Sequence, residues 1–210
     1  MARVIPDYKE EARTRILKAA EGAFSEKGYD QTTMEEIAQR LGVSKGTLYL
    51  YFPSKEALFA RLTEMRQDVL RQMLQASLKN GDLLQTSRAF FDAVSATPDA
   101  YSMKLTFEVI SEGMRNETLK RILLDDYHKR LDILEGFLKE QIKLGLVRDD
   151  VNVRQLALAL SSLFNGLMIG RILGLEQELI SETWMSTLNI MYSSPLRVVQ
   201  VRSSSDRPNE

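Results

Sequence analysis

The chain has 210 residues, 44% hydrophobic and 27% charged, with a formal net charge of −1 and no cysteine. That is material for one or two soluble globular domains; it excludes disulfides and thiolate metal sites, and the whole-chain charge offers nothing to a polyanion. The opening residues, MARVIPDYKEEARTR, contain no apolar signal core, so a cytoplasmic protein is expected.

A first amphipathic helix is predicted over 8–27, with Ile16, Leu17, Ala20 and Phe24 on one face. The run over 32–59, TTMEEIAQRLGVSKGTLYLYFPSKEALF, is the most specific in the chain. Thr33 is placed to cap a helix and Glu36 to complete a capping box, while Ile37, Ala38 and Leu41 give that helix an inward face. Gly42 suits the left-handed turn that ends it, Val43 plugs the turn, and Ser44 caps a second helix over 45–51. Lys45, Gly46, Thr47 and Tyr49 are poor core residues. An ammonium, a bare backbone, a hydroxyl and a phenol suit a surface laid on DNA. Leu48, Tyr51 and Phe52 can hold this helix on the preceding one. Pro53 and Ser54 end it and cap the next, leaving Lys55 in a first turn whose free N–H groups can face a phosphate. The candidate DNA-binding residues are Thr33, Ser44, Lys45, Gly46, Thr47, Tyr49, Tyr51 and Lys55. The other reading is a helix pair of this shape inside an ordinary helical domain. The polar second helix argues against it, because the side chains that such a pair would bury are those that could meet a groove. Charge agrees locally: between 40 and 61, Arg40, Lys45, Lys55 and Arg61 oppose Glu56 alone, a net +3, and Arg13, Arg15 and Lys18 add to it.

At these residues the chain resembles the TetR family of bacterial one-component repressors. LGVSKGTLYLYFPSKEALF follows that family's recognition segment almost position for position, and the helix at 8–27 is similar to its first helix. The resemblance covers about the first 60 residues; beyond them only the pattern of helices is similar. It implies a homodimer bound to a palindromic double-stranded DNA operator through one helix-turn-helix per subunit, and a small-molecule effector that releases it. Leu50 departs from the pattern: family members often carry there an aromatic residue or histidine that touches the phosphate backbone, which puts that contact in question here.

No strand pattern appears, so the fold expected is all-α with about nine helices: an N-terminal three-helix helix-turn-helix domain and a C-terminal helical ligand-binding and dimerisation domain. A long helix over 54–79 carries Leu58, Leu62, Met65, Val69, Met73 and Ala76 along one face and links the two. Helices follow over 83–96, from Pro98 and Asp99 to about 114, over 116–145, from 152 or 153 to 173, and over 180–192. The domains expected are 1–53, 54–194, and a disordered tail at 195–210 that has serines, Pro208 and no periodicity.

Met103, Phe107, Ile110 and Met114 form one stripe, with Lys104, Glu108, Glu112 and Arg115 opposite and solvated. In the helix at 116–145, Leu119, Ile122, Leu123, Leu134 and Phe137 define an apolar arc into which Asp126 and Arg130 project. Two readings stand: a structural ion pair between packed helices, or charges that orient a polar group on an otherwise apolar ligand. On the second, Tyr127 and Phe90 or Phe91 join the lining, and the candidate ligand-binding residues are Phe91, Phe107, Tyr127 and Arg130.

The segment 156–170 is uncharged, yet it is short for a membrane span and lacks basic flanks and an aromatic belt. Ala159, Ser162, Gly166 and Gly170 would let another helix approach, and the last helix adds Trp184, Met185, Leu188, Met191 and Tyr192. A subunit interface centred on Ser162, Gly166, Gly170, Trp184 and Leu188 is one account, for which the resemblance implies a four-helix bundle; a helix buried within one chain is the other. Catalysis is not expected. The single histidine, His128, projects to a polar face, no glycine-rich phosphate loop follows a strand, and no metal or cofactor site is assembled. The competing class for function is an architectural protein whose helix-turn-helix binds DNA without a ligand switch.

Overall fold

The computed structural model describes residues 6–80, 83–96 and 103–193, and every regular element among them is an α-helix. They are α1 (Pro6–Lys27), α2 (Met34–Leu41), α3 (Lys45–Tyr51), α4 (Lys55–Asn80), α5 (Leu83–Ala96), α6 (Met103–Gly113), α7 (Glu117–Lys143), α8 (Val153–Ile172) and α9 (Gln177–Ser193). The fold class and the approximate helix count are those read from the sequence. The expected helix start at Pro98 and Asp99 and the tail at 195–210 lie outside the described residues, as do the side chains of Phe90, Met103 and Lys104. The last helix begins three residues earlier than expected, because Ile180 N–H already donates to Glu176 O at 3.1 Å and Glu178 sits favourably in a helix first turn.

Local chemistry sets the first three helices. Thr33 and Glu36 make the reciprocal capping box, with Glu36 N–H on Thr33 Oγ1 at 3.2 Å and Thr33 N–H on Glu36 Oε2 at 3.1 Å. Gly42, at φ +68°, closes α2 with its N–H on Gln39 O, followed by Val43 N–H on Ala38 O. Val43 does not plug that turn as expected; its side chain is exposed, and backbone hydrogen bonds close the turn. Ser44 caps α3 by accepting from Thr47 N–H at 3.1 Å.

Two clusters of buried side chains carry the packing. The first joins Ile16, Leu17, Ala20 and Phe24 of α1, Ile37 and Ala38 of α2, Leu48 of α3 and Leu58, Phe59 and Leu62 of α4 to Leu105 and Val109 of α6 and Leu119 of α7. Packing is thus continuous across residue 54, and the N-terminal head formed by α1–α3 rests on the rest of the chain. Past Met65 the stripe on α4 leaves the first cluster behind, and Val69 and Ala76 are exposed. The second cluster gathers Phe91, Leu131, Leu138, Ala157, Leu160, Met168, Ile180, Trp184 and Leu188 from α5, α7, α8 and α9.

The joint between head and remainder is polar as well as apolar. Glu108 was expected to be solvated on the outer face of α6. Instead it turns to the head, and its carboxylate accepts from Tyr29 N–H at 3.2 Å, packed so close to Gly28, at φ +85°, that it fills the space a side chain there would need. Asn116 caps α7 by accepting from Leu119 N–H at 3.1 Å while its amide donates to Glu56 Oε1 at 3.1 Å. Burial pushes the Glu56 carboxyl up, but its own backbone N–H, Ser54 and Asn116 outweigh it and hold the group below its usual value. Asn116→Ala removes a cap and an interhelical donor together, so a loss of about 1–2 kcal/mol is expected in urea unfolding, with the m-value unchanged.

Candidate nucleic-acid interface

The surface of α3 is built by what it cannot bury. Leu48 alone on this helix is fully inside, held against α1, α2 and α4, which leaves Lys45, Gly46, Thr47, Tyr49 and Leu50 exposed. Tyr51 is half-buried on the first core, and Phe52 is buried beyond it. Ser44 and Thr47 share a hydroxyl–hydroxyl hydrogen bond of 2.8 Å at the helix start. The Lys45 ammonium stands 5.7 Å from the Tyr49 ring centroid. The exposed surface of this helix therefore offers a cation, a bare backbone, a hydroxyl and a phenol close together, the groups suited to a major groove.

Leu50 is the side chain whose role the sequence reading left unassigned. It is 84% exposed next to Tyr49, an apolar group with nothing of its own chain to cover it. Such a group on this face is suited to a thymine methyl or a deoxyribose.

The local positive charge is not free in the way the sequence count implied. Arg40 is bound bidentately by Glu26, Lys45 pairs with Glu35, and Arg61 pairs with Glu64 at 2.8 Å. Lys55 turns away from the expected phosphate: its ammonium donates to Tyr29 O at 2.7 Å and Asp30 O at 3.1 Å and lies 4.3 Å from the Tyr29 ring. The first-turn position was read correctly from the sequence, but the side chain is long enough to fold back onto the α1–α2 turn. Thr33 is likewise occupied in the capping box. Hydrogen bonding from Arg40 holds the Glu26 carboxyl below its usual range, and Lys27 followed by the Thr33 backbone does the same for Glu36. Burial pushes the Tyr29 phenol well up, with Glu56 and Glu112 adding to it, so the tyrosine that takes the Lys55 cation on its face stays neutral.

The other expected sites are brought together only in part. Phe91 is buried, stacked on Trp184 at 5.3 Å and edge-on to Phe164 at 5.9 Å, whereas Phe107 is 41% exposed on α6. Phe91, Phe107, Tyr127 and Arg130 do not line one described cavity; Phe91 is consumed in an aromatic core. Tyr127 and Arg130 do meet, with the guanidinium 5.6 Å from the ring and paired to Asp126 at 3.0 Å. Asp126 also accepts from Gln67 of α4 at 2.9 Å. That chain ends at the wall of an open groove of about 630 Å³ between α4 and α7, lined by Gln67, Leu74, Ile133, Gly136 and Phe137 among others. Along the proposed subunit interface Ser162 and Gly166 face outward. Gly170 is covered by Leu175 of its own chain, and Trp184 and Leu188 belong to the inner core, because the stacking of Trp184 on Phe91 draws that face of α9 inward.

Comparison with known proteins agrees with this geometry. Residues 16–62 match the sequence model of bacterial regulatory proteins, tetR family. The chain is 29% identical over 157 residues to the HTH-type transcriptional regulator UidR of Escherichia coli, covering 74% of this chain and 79% of that protein. Among solved structures, Salmonella enterica GusR superposes with a TM-score of 0.72 at 26% identity, over 88% of this chain and 96% of that one. FadR from Bacillus subtilis in complex with stearoyl-CoA shares the fold, with a TM-score of 0.67 at 20% identity over 86% and 97%.

Tyr49→Ala removes a phenol that is 40% exposed and outside both cores, so weaker binding to duplex DNA with an unchanged melting temperature is expected. Fluorescence anisotropy beside a thermal melt checks both halves.

Proposed function

We propose, from the match of residues 16–62 to the tetR family of bacterial regulatory proteins, that the chain is a transcriptional regulator of that family and acts in the cytoplasm as a homodimeric repressor. In this reading residues 1–53 read a palindromic operator, and residues 54–194 dimerise and take a small, mostly apolar effector that releases the DNA.

One observation carries the dimer. Helix α8 is apolar enough and, at 20 residues, long enough by composition and length to cross a membrane, yet only 22% of its most apolar window is buried within the protomer. Leu158, Ala159, Ser162, Gly166 and Ile169 lie exposed along it, Leu173 is exposed just past its C-terminus, and Leu179 and Ile190 are exposed on α9. Small residues flanked by large aliphatic ones let a second helix approach closely and bury the rest, and a two-fold axis there matches the palindromy of an operator. Two heads joined in this way bind adjacent half-sites only at one separation. Occupying the operator then excludes other proteins from it.

The groove between α4 and α7 supports the effector. All four charged side chains lining it already have partners: Arg71 with Asp68, Lys129 with Asp125, Asp132 with Arg154 and Glu140 with Lys143. The attraction left to offer is the apolar floor of Leu74, Ile133 and Phe137, which is why the effector is proposed as mostly apolar. Since α4 runs from the head along this groove, a ligand that changes the α4–α7 spacing would change the placing of the heads. A preference of about 3 kcal/mol for the released state alters DNA affinity roughly 150-fold.

Two variants test these parts separately. A Cβ at Gly166 meets nothing within 4 Å in the protomer, so Gly166→Arg should fold normally. It is expected to sediment as a monomer and to lose most DNA affinity, while a wild-type chain that is itself monomeric at micromolar concentration would remove the interface. Gly136 likewise opens onto free space in the groove, so Gly136→Phe should fill it without strain. Uptake of the apolar anionic dye 1-anilinonaphthalene-8-sulfonate is expected to fall in this variant, with DNA binding retained; undiminished dye fluorescence would place the effector elsewhere.

A further inference from the structure

Among the cations of the head formed by α1–α3, Lys27, Arg40 and Lys45 are each held by a carboxylate of the same head: Glu36, Glu26 and Glu35 respectively. The first two pairs have evident structural work, since Glu36 belongs to the α2 capping box and the Glu26–Arg40 fork ties α1 to α2. The third does not. Glu35 lies in the first turn of α2 and Lys45 opens α3, two helices whose mutual position is already set by the Gly42 turn, the Ser44 cap and the burial of Leu48. Both partners are about half exposed, at 57% and 51% of the side chain, on the rim where a phosphate would arrive.

We propose that Glu35 is an internal stand-in for phosphate. It holds the Lys45 ammonium over the end of α3 in the free protein, so DNA must displace a carboxylate before it can engage that cation. Binding to DNA of arbitrary sequence consists almost wholly of phosphate contacts, so the loss of one such contact to internal competition is a large share of the total. Where α3 enters a matching groove, Thr47, Tyr49 and Leu50 add contacts that the exchange does not touch. Glu35 thereby keeps nonspecific binding weak, and it does so through Lys45. The proposal rests on the reading of α3 as the DNA-facing helix.

The test uses the full-length protein and a short fluorescent duplex of random sequence, titrated by anisotropy at several salt concentrations, with wild type, Glu35→Gln, Lys45→Ala and the double variant. Glu35→Gln is expected to bind about two- to fivefold more tightly, the scale set by an exposed ion pair, with an unchanged salt slope. Lys45→Ala should bind more weakly and lower the slope by about one contact, and adding Glu35→Gln to it should bring no further gain. Glu35→Ala, which cannot donate a hydrogen bond to phosphate as glutamine can, should reproduce the gain, and thermal melts of all variants should coincide within a few degrees. A gain of equal size without Lys45 would overturn the proposal, because the carboxylate would then be simply repelling DNA. No gain from either Glu35 variant overturns it as well. If the wild type binds no duplex even at low salt, the DNA-binding reading of α3 falls with it, an outcome distinct from both.

Discussion

Three parts of the molecule meet on one turn of three residues, Gly28 to Asp30. From α6, Glu108 accepts the Tyr29 N–H; from α4, Lys55 donates to the carbonyls of Tyr29 and Asp30; and the Tyr29 ring sits buried between Phe24 and Phe59. A donor satisfied from one helix and two acceptors satisfied from another leave the turn few ways to move. Thr32 closes it from below with its hydroxyl on Ala23 O and Gly28 O. The orientation of α2 and α3, and so of any surface they present, is referred through this turn to the remainder of the chain.

The same economy governs the charges. Several cations close together would repel one another, and here Lys27, Arg40 and Lys45 are each neutralised by a carboxylate and Lys55 is taken by backbone carbonyls. The head is consequently less basic in its field than in its composition. In the proposed function DNA replaces partners that are already present, which makes binding an exchange and ties its strength to the carboxylates as much as to the lysines and arginines.

At the far end the balance is reversed. The aromatic stack of Phe91, Phe164 and Trp184 anchors α5, α8 and α9 on one another, yet the opposite side of α8 is left with aliphatic and small side chains facing out. One face is used up within the protomer and the other stays apolar and uncovered. The proposed dimer is the arrangement in which that second face is buried by its own image. Between the two ends, α4 and α7 run side by side, linked at Gln67–Asp126 and parted farther along by the groove.

Short-range chemistry was legible in the sequence: the Thr33–Glu36 box, the Gly42 turn and the Ser44 cap depend on residues within four positions of one another. The exposed strip on α3 was legible for the same reason, since its polar residues stand where a buried pair would need apolar ones. What the sequence left open depends on partners far away along the chain. Glu108 has the periodicity of a solvated residue and is used because Tyr29, 79 positions earlier, presents an unpaired N–H to it. Lys55 and Lys45 count as cations in any window, and only tertiary structure supplies the carbonyls and the carboxylate that occupy them. Phe91 and Trp184, assigned by pattern to a pocket and an interface, became a single stacked pair because packing joins faces that periodicity can only mark as apolar. Helical phase tells which side of a helix is buried; which other side it is buried against is decided by the fold.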